Sequence, residues 1–127
     1  PKTIKYLKLG RKIPLHNQGT PVRTWLHAKD TAEAILTIID NNVENQTYNI
    51  SGNYEDTNLS VVQKIIDLVI PDADYEKYLD LGMSRAGQDI RYSINDSKLK
   101  NLGWSPQCDF NTELKDIVKH YGSNFIW

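Results

Sequence analysis

Helical and extended patterns of apolar residues alternate along the chain. The clearest helical pattern follows a capping residue, Asp30, and ends at Asn41 or Asn42. Its apolar residues recur three and four positions apart, which places them on one face of an amphipathic helix: Ala32, Ile35, Leu36 and Ile39. An amphipathic helix turns such a face toward the core of the protein.

Four further segments are predicted to be helical. With their caps they cover residues 1–10, 58–70, 95–102 and 112–121. Pro1 stands in a helix that is already under way, which indicates a chain cut from a longer one. Asn58 is predicted to cap the second of these helices, and Pro71 to end it.

Extended segments are predicted between the helices, at residues 12–16, 22–27, 46–50 and 75–81. A turn at Asn17-Gln18-Gly19 separates the first two, because Asn and Gly favour turn conformations. Strands that alternate with helices predict an α/β architecture. The length, 127 residues, limits the chain to one domain, residues 1–127.

Composition excludes several classes of function. The charges nearly balance, with 15 basic and 16 acidic residues, so binding to nucleic acid through bulk charge is not expected. No apolar run approaches the ~20 residues of a membrane span, and the N-terminus has no signal-peptide pattern. Cys108 is the only cysteine, so no internal disulfide can form, and a reducing cytoplasm fits best.

Two arginines are the residues best suited to chemistry, and that chemistry is anion binding. Arg23 lies in an extended segment and Arg85 in a turn that contains Gly87. A guanidinium can bind a phosphate through two parallel hydrogen bonds. Cys108 has no basic neighbour that would activate it as a nucleophile. The histidines lack the paired spacing of a metal site, so no metal ligand is predicted.

Several segments, in this order, carry a resemblance to a known family: Pro1–Ile4, Ile13–Gly19, Val22–Asp30, Thr47–Gly52, Thr57–Leu59, Arg85–Tyr92, Asp96–Lys98 and Leu102–Pro106. Together they resemble the C-terminal part of the extended short-chain dehydrogenase/reductase family of sugar-nucleotide enzymes, and within it the dTDP-glucose 4,6-dehydratases most. The resemblance implies the α/β substrate-binding portion of an NAD-dependent epimerase or dehydratase, with the N-terminal Rossmann half missing.

The resemblance also assigns binding roles to six residues: Arg23, Arg85, Asn58, Gln88, Pro14 and His16. It implies that Arg23 contacts the nucleotide diphosphate and that Asn58, Arg85 and Gln88 contact the nucleotide. Pro14 and His16 are expected to line the base pocket. Gln88 stands where the dehydratases usually have a histidine, and His16 where an aromatic residue is usual. The identity of the nucleotide therefore stays open.

The catalytic signatures of that family are absent from the chain. There is no G-x-x-G-x-x-G turn for a dinucleotide, and no tyrosine is followed four residues later by lysine. The resemblance therefore implies that the NAD site and the catalytic residues belong to the parent enzyme outside this chain. The chain alone is predicted to be inactive and to hold no catalytic or cofactor-binding residue.

The implied parent enzyme is an NAD-dependent lyase. In its reaction a hydride leaves C4 of the hexose for NAD, water is eliminated across C5 and C6, and the hydride returns to C6. A sugar-nucleotide epimerase or a UDP-glucuronate decarboxylase stays open, as does a non-catalytic nucleotide-sugar-binding or protein-interaction module. The expected ligand is a dTDP- or UDP-hexose. The parent is expected to be a homodimer, and the chain to self-associate through the strand near Tyr48.

Overall fold

The computed structural model describes residues 1–42 and 44–123 and confirms the α/β class. In chain order its elements are α1 (Lys2–Lys8), β1 (Ile13–Pro14), a 3-10 turn (His16–Gly19), β2 (Val22–Trp25), α2 (Ala28–Asp40), β3 (Tyr54–Thr57), α3 (Asn58–Val69), α4 (Tyr75–Tyr78), β4 (Leu79–Asp80), α5 (Ser97–Lys100) and α6 (Phe110–Ser123). Helices and short strands alternate over most of this length.

The helix α3 lies at the centre of the main core and packs against α1 and α6. Its buried residues share one face, as the apolar pattern predicts: Val61, Val62, Ile65 and Ile66. The other elements contribute Ile4, Leu7, Ile13, Leu15, Leu79, Leu114 and Val118 to the same cluster. Burial of these apolar side chains is the main favourable contribution to folding of the chain.

The strands form two small sheets. In one, β1 pairs in parallel with β4, and in the other, β2 pairs antiparallel with β3, with Val22 opposite Thr57. A parallel bridge between Val22 and Arg91 adds a third segment to the second sheet. The strand β2 therefore lies between β3 and the segment around Arg91.

Two of the predicted strands are wrong. Residues 46–50 form no strand, because Tyr48 and Ile50 pack instead against a second apolar cluster. Within residues 75–81, Asp74 caps the helix α4 by accepting a hydrogen bond from the Glu76 N–H, and only Leu79–Asp80 pairs as strand. Conversely, β3 was not predicted, because its polar sequence Tyr-Glu-Asp-Thr has no strand pattern until it pairs with β2.

Two predicted helix caps are also wrong. The helix α2 is capped by His27, whose Nδ1 accepts from the Lys29 N–H at 3.1 Å. Thr57, not Asn58, caps α3, and its Oγ1 accepts from the Ser60 N–H at 3.1 Å. A cap must lie just before the first helical residue, and both helices begin earlier in the sequence than their apolar patterns indicate.

Asp30 instead ties the first turn of α2 to the loop before α6. Its side chain is buried, with 1% of the residue exposed. The carboxylate accepts hydrogen bonds from the Gln107 N–H at 2.9 Å and from the Cys108 N–H at 3.2 Å. This loop follows Trp104, which packs with Ala34 and Leu99 in the second cluster. Asp30 therefore fixes the loop next to that cluster.

The predicted apolar face of α2 is not covered. Ile35, Leu36 and Ile39 are 49%, 56% and 61% exposed, and Ala34 is the buried apolar residue of this helix. Residues 1–42 and 44–123 thus leave about half or more of each of these three side chains exposed. The helix therefore has the amphipathic pattern of an element packed against a core, but its apolar face is exposed in the described residues.

We predict that Asp30→Ala destabilises the chain by about 3 kcal/mol, because two backbone N–H groups lose the buried carboxylate that accepts their hydrogen bonds. Urea unfolding followed by circular dichroism measures the change. Asp40→Ala is the matched control, because Asp40 is exposed at the end of the same helix and its removal should change stability by less than about 0.5 kcal/mol. Equal stability of the two variants would contradict the role of Asp30.

Candidate functional site

The strand β2 directs Arg23 toward the segment that follows β4. The guanidinium carbon of Arg23 lies 4.2 Å from the centre of the Tyr92 ring. Its Nη1 and Nη2 donate to the Asp89 carbonyl at 3.4 and 3.3 Å, and Nη1 also donates to the Val22 carbonyl at 2.6 Å. The Nε–H and one Nη2–H have no acceptor in the described parts of the chain, so they remain able to bind an anion.

Arg85 belongs to the same cluster. The hydrogen bond from Tyr92 to Asp89 raises the pKa of the Tyr92 hydroxyl, and the positive charges of Arg23 and Arg85 oppose that rise. Both arginines therefore add positive charge to the surroundings of the Tyr92 hydroxyl, and Arg23 does so in direct contact with the ring. Arg85 is exposed, as a residue that binds a ligand from solvent must be.

Three more of the predicted residues belong to β1, the 3-10 turn that follows it, and the segment to which this turn is bonded. Pro14 pairs with Asp80 in the β1–β4 sheet, and His16 is exposed in the 3-10 turn that follows. The same turn is hydrogen-bonded through Asn17 to the side chain of Gln88 at 3.2 Å. The structure thus places Pro14 beside Asp80 and joins the turn that contains His16 to the side chain of Gln88.

Asn58 lies apart from this group. Its N–H donates to the Pro21 carbonyl at 3.0 Å, and the residue lines an apolar cleft of about 660 Å³ between α1, α3 and α6. The cleft also contains Trp25, Tyr54 and Phe110, whereas the other five predicted site residues do not line it. Of the six predicted residues, Asn58 is therefore the one that lines the cleft, and its backbone is bonded to the residue that precedes β2.

Aromatic stacking and a half-buried carboxylate shape the wall of the cleft. The rings of Tyr54 and Phe110 stack 3.9 Å apart and nearly parallel. The Tyr54 hydroxyl donates to Asp56 at 2.8 Å, and the Ser60 hydroxyl donates to the same oxygen at 2.6 Å. Burial raises the pKa of Asp56, but the hydrogen bonds from Ser60, Tyr54 and the Thr57 N–H, together with the Lys64 charge, lower it overall. Asp56 is therefore a charged acceptor that fixes Tyr54.

Sequence reasoning missed the role of Tyr92. The local sequence of Arg91 and Tyr92 indicates only strand packing with a surface charge, and Arg91 has that role. Its guanidinium forms two hydrogen bonds with Glu55, at 2.6 and 2.9 Å, on the neighbouring strand β3. Tyr92, in contrast, stacks under Arg23. Arg23 and Tyr92 are far apart in the sequence and carry no shared local signal, so only the bridge between β2 and the segment around Arg91 reveals the contact.

Cys108 has the environment of an inert thiol. Burial raises its pKa, and the hydrogen bond to Asp30 and that carboxylate's charge raise it further. A thiol with a raised pKa is a poor nucleophile at neutral pH. In the described ranges no group of three or more His, Cys, Asp or Glu side chains could hold a metal ion. No helix there has the length and apolar character needed to cross a membrane.

Fold and geometry together define an α/β domain in which Arg23 stacks on Tyr92 beside the exposed segment that carries Arg85. Comparison with known proteins gives its family. The family model described as GDP-mannose 4,6 dehydratase matches residues 1–117, so the chain belongs to that family. This confirms the resemblance to sugar-nucleotide dehydratases that the sequence motifs show.

Similar proteins agree with this assignment. The dTDP-glucose 4,6-dehydratase 1 of Escherichia coli is 34% identical over 123 residues, which cover 93% of this chain and 34% of that protein. The crystal structure of the dTDP-glucose 4,6-dehydratase of Bacillus anthracis in complex with NAD is 35% identical, with a TM-score of 0.84 over 96% of this chain and 38% of that one.

A more distant structure shares the fold alone. The UDP-glucose 4-epimerase of Thermotoga maritima is 19% identical, with a TM-score of 0.77 over 95% of this chain and 38% of that one. The chain spans about a third of the length of the curated relatives it matches.

The Tyr54 hydroxyl gives a testable pH dependence. Burial and the hydrogen bond to charged Asp56 raise the pKa of Tyr54 to about 12, above the ~10 of an unfolded chain. The stabilising contribution of neutral Tyr54 is therefore complete below about pH 10 and is lost as the pH rises toward 12. Unfolding free energies measured over this range should fall less steeply for Tyr54→Phe than for the unmodified chain. Parallel curves for the two proteins would show that Tyr54 titrates normally.

Proposed function

We propose that the chain is the nucleotide-diphosphate-binding C-terminal part of an NAD-dependent sugar-nucleotide dehydratase, with dTDP-glucose as the preferred substrate. The observation that carries the proposal is the stacking of Arg23 on Tyr92, beside the exposed segment that carries Arg85, in a chain that belongs to a dehydratase family. Two permanent positive charges with free N–H donors match the two phosphates of a nucleotide diphosphate.

The residues of this chain supply binding and orientation. Arg23 keeps two N–H donors for the diphosphate, and Arg85 reaches it from the exposed segment opposite. Gln88 offers both a donor and an acceptor to the nucleotide, while Pro14 and His16 border the base. Asn58 is assigned to the nucleotide from the side of the cleft. Binding energy gained at the diphosphate is used to orient the hexose for reaction elsewhere in the enzyme.

The chain does not hold the NAD site in this proposal. It contains neither the Gly-rich turn that approaches a dinucleotide nor a Tyr-x-x-x-Lys pair. We assign both to an N-terminal Rossmann half in the whole enzyme, together with its catalytic residues. The exposed apolar face of α2 supports this division, because Ile35, Leu36 and Ile39 are arranged as residues that another part of a protein covers.

The proposal treats residues 1–127 as one domain of a cytoplasmic enzyme that is a homodimer as a whole. We do not retain self-association through a strand near Tyr48, because residues 46–50 do not form a strand. Tyr48 and Ile50 pack against the second cluster instead.

Two alternatives differ from this proposal in what precedes the chain. An epimerase or decarboxylase would keep the same diphosphate contacts but have different residues around the hexose. A non-catalytic binding module would begin near Pro1. Sequencing the gene upstream distinguishes the module from the enzymes, because the proposal requires an open frame that encodes a Gly-rich turn and Tyr-x-x-x-Lys.

We predict that Arg23→Ala weakens binding of dTDP-glucose by about 10- to 100-fold, the expected loss of charge-assisted hydrogen bonds. Isothermal titration calorimetry on the chain and on the full gene product measures the affinity, with UDP-glucose as the competing nucleotide sugar. Arg91→Ala is the matched control, because it removes the same charge nearby while Arg91 is engaged with Glu55.

The control variant should bind within about twofold of the unmodified protein, since Arg91 has no role at the proposed site. Equal affinities for the Arg23→Ala and unmodified proteins would show that the diphosphate is bound elsewhere. Equal losses in the two variants would show that net charge, and not the geometry of Arg23, determines binding.

A further inference from the structure

One side chain connects the 3-10 turn to the segment that carries Arg85 and Gln88. We propose that Asn17 is a positioning residue that fixes this segment, residues 83–88, in the conformation that binds the nucleotide diphosphate. The inference rests on the function proposed above. It adds a residue that makes no contact with the ligand in this scheme and acts through the backbone of Arg85.

The carboxamide of Asn17 pairs with both backbone groups of Arg85. Its Oδ1 accepts from the Arg85 N–H at 2.8 Å, and its Nδ2 donates to the Arg85 carbonyl at 3.2 Å. The same Nδ2 donates to the Oε1 of Gln88 at 3.2 Å, and the Asn17 N–H donates to the Met83 carbonyl at 2.8 Å. One residue thus satisfies groups at the beginning, middle and end of the segment.

No other residue in the described ranges forms a hydrogen bond to residues 83–88. The segment is also largely exposed, so apolar packing contributes little to its order. Arg23 and Val22 hold the chain only further on, through the carbonyls of Asp89 and Ile90. The conformation of Arg85 therefore depends on Asn17 more than on any other contact.

The 3-10 turn that carries Asn17 is held in place by its backbone conformation and by contact with α3. Asn17 has a φ of 51° and Gln18 a φ of 56°, in the left-handed region that Asn adopts more readily than most residues. Gly19 follows with a φ of 72°, and a Cβ there would lie 2.8 Å from the Cβ of Leu59. Only glycine fits at that position, so the turn lies directly against α3 and the main core. Through its hydrogen bonds, Asn17 holds the exposed segment, residues 83–88, against this turn.

Fixing the backbone of Arg85 before the ligand arrives lowers the ordering cost of binding. An arginine on a free loop must lose backbone and side-chain freedom together, whereas here only the side chain remains to be ordered. We therefore expect that a substitution of Asn17 lowers the affinity for the nucleotide diphosphate by loosening residues 83–88. The rest of the fold should stay unchanged.

The test compares Asn17→Gly with Gln18→Gly in the full gene product. Glycine accepts the left-handed conformation at both positions, so each variant loses a side chain and keeps the turn. The Gln18 side chain is exposed and forms no hydrogen bond within the described ranges, which makes it the matched control. Hydrogen exchange followed by mass spectrometry reports on residues 83–88 without ligand, and calorimetry with dTDP reports on the site.

Asn17→Gly should speed amide exchange of residues 83–88 by about tenfold or more and weaken dTDP binding by about three- to tenfold, with Gln18→Gly unchanged in both. The loss should shrink to less than about twofold when Asn17→Gly is made in an Arg85→Ala background, because Asn17 acts through Arg85.

Unchanged exchange at residues 83–88 in Asn17→Gly would overturn the inference. Faster exchange with unchanged affinity would also overturn it, provided that Arg23→Ala still weakens binding, because Asn17 would then be a structural residue only. Unchanged affinity in both Asn17→Gly and Arg23→Ala would instead refute the proposed function, and this inference with it.

Discussion

The antiparallel pairing of β2 with β3 determines where the candidate site residues lie. With Val22 opposite Thr57, the end of β3 becomes the cap of α3, and Asn58 enters the first turn of that helix at the cleft. The same register puts Trp25 opposite Tyr54, next to Phe110. On its other edge β2 bridges to Arg91 and so brings Arg23 to Tyr92. A shift of one residue would turn every side chain of the strand to the opposite face.

The arginine cluster combines a rigid base with an exposed segment. Arg23 belongs to a paired strand, whereas Arg85 belongs to a segment held through Asn17. This arrangement suits a binding site, because a framework element sets the position and an exposed segment gives the ligand access. The two halves of the cluster therefore differ in what maintains them: β-pairing for Arg23, and one side-chain amide for Arg85.

The exposed face of α2 and the cleft between α1, α3 and α6 are both apolar surfaces. Both present apolar side chains in an ordered arrangement, and within residues 1–42 and 44–123 neither is filled or covered. Their presence agrees with a chain that spans about a third of the length of its relatives. The apolar pattern of α2 predicts the helix correctly, since periodicity needs only local sequence, but it cannot say which partner covers the face.

Sequence alone determined the α/β class, the central helix α3, the turn at Asn17 and the family, because these depend on periodicity, turn residues and ordered motifs. It also selected Arg23, Arg85 and Gln88, which the structure brings to one region. The tertiary structure decided the caps at His27 and Thr57, the strand β3 and the absence of a strand at residues 46–50. It alone revealed Tyr92 under Arg23 and Asn17 against Arg85. The physical reason is that residues which bond across a long sequence separation produce no periodic pattern in the sequence around them. Only the packing of the folded chain brings them together.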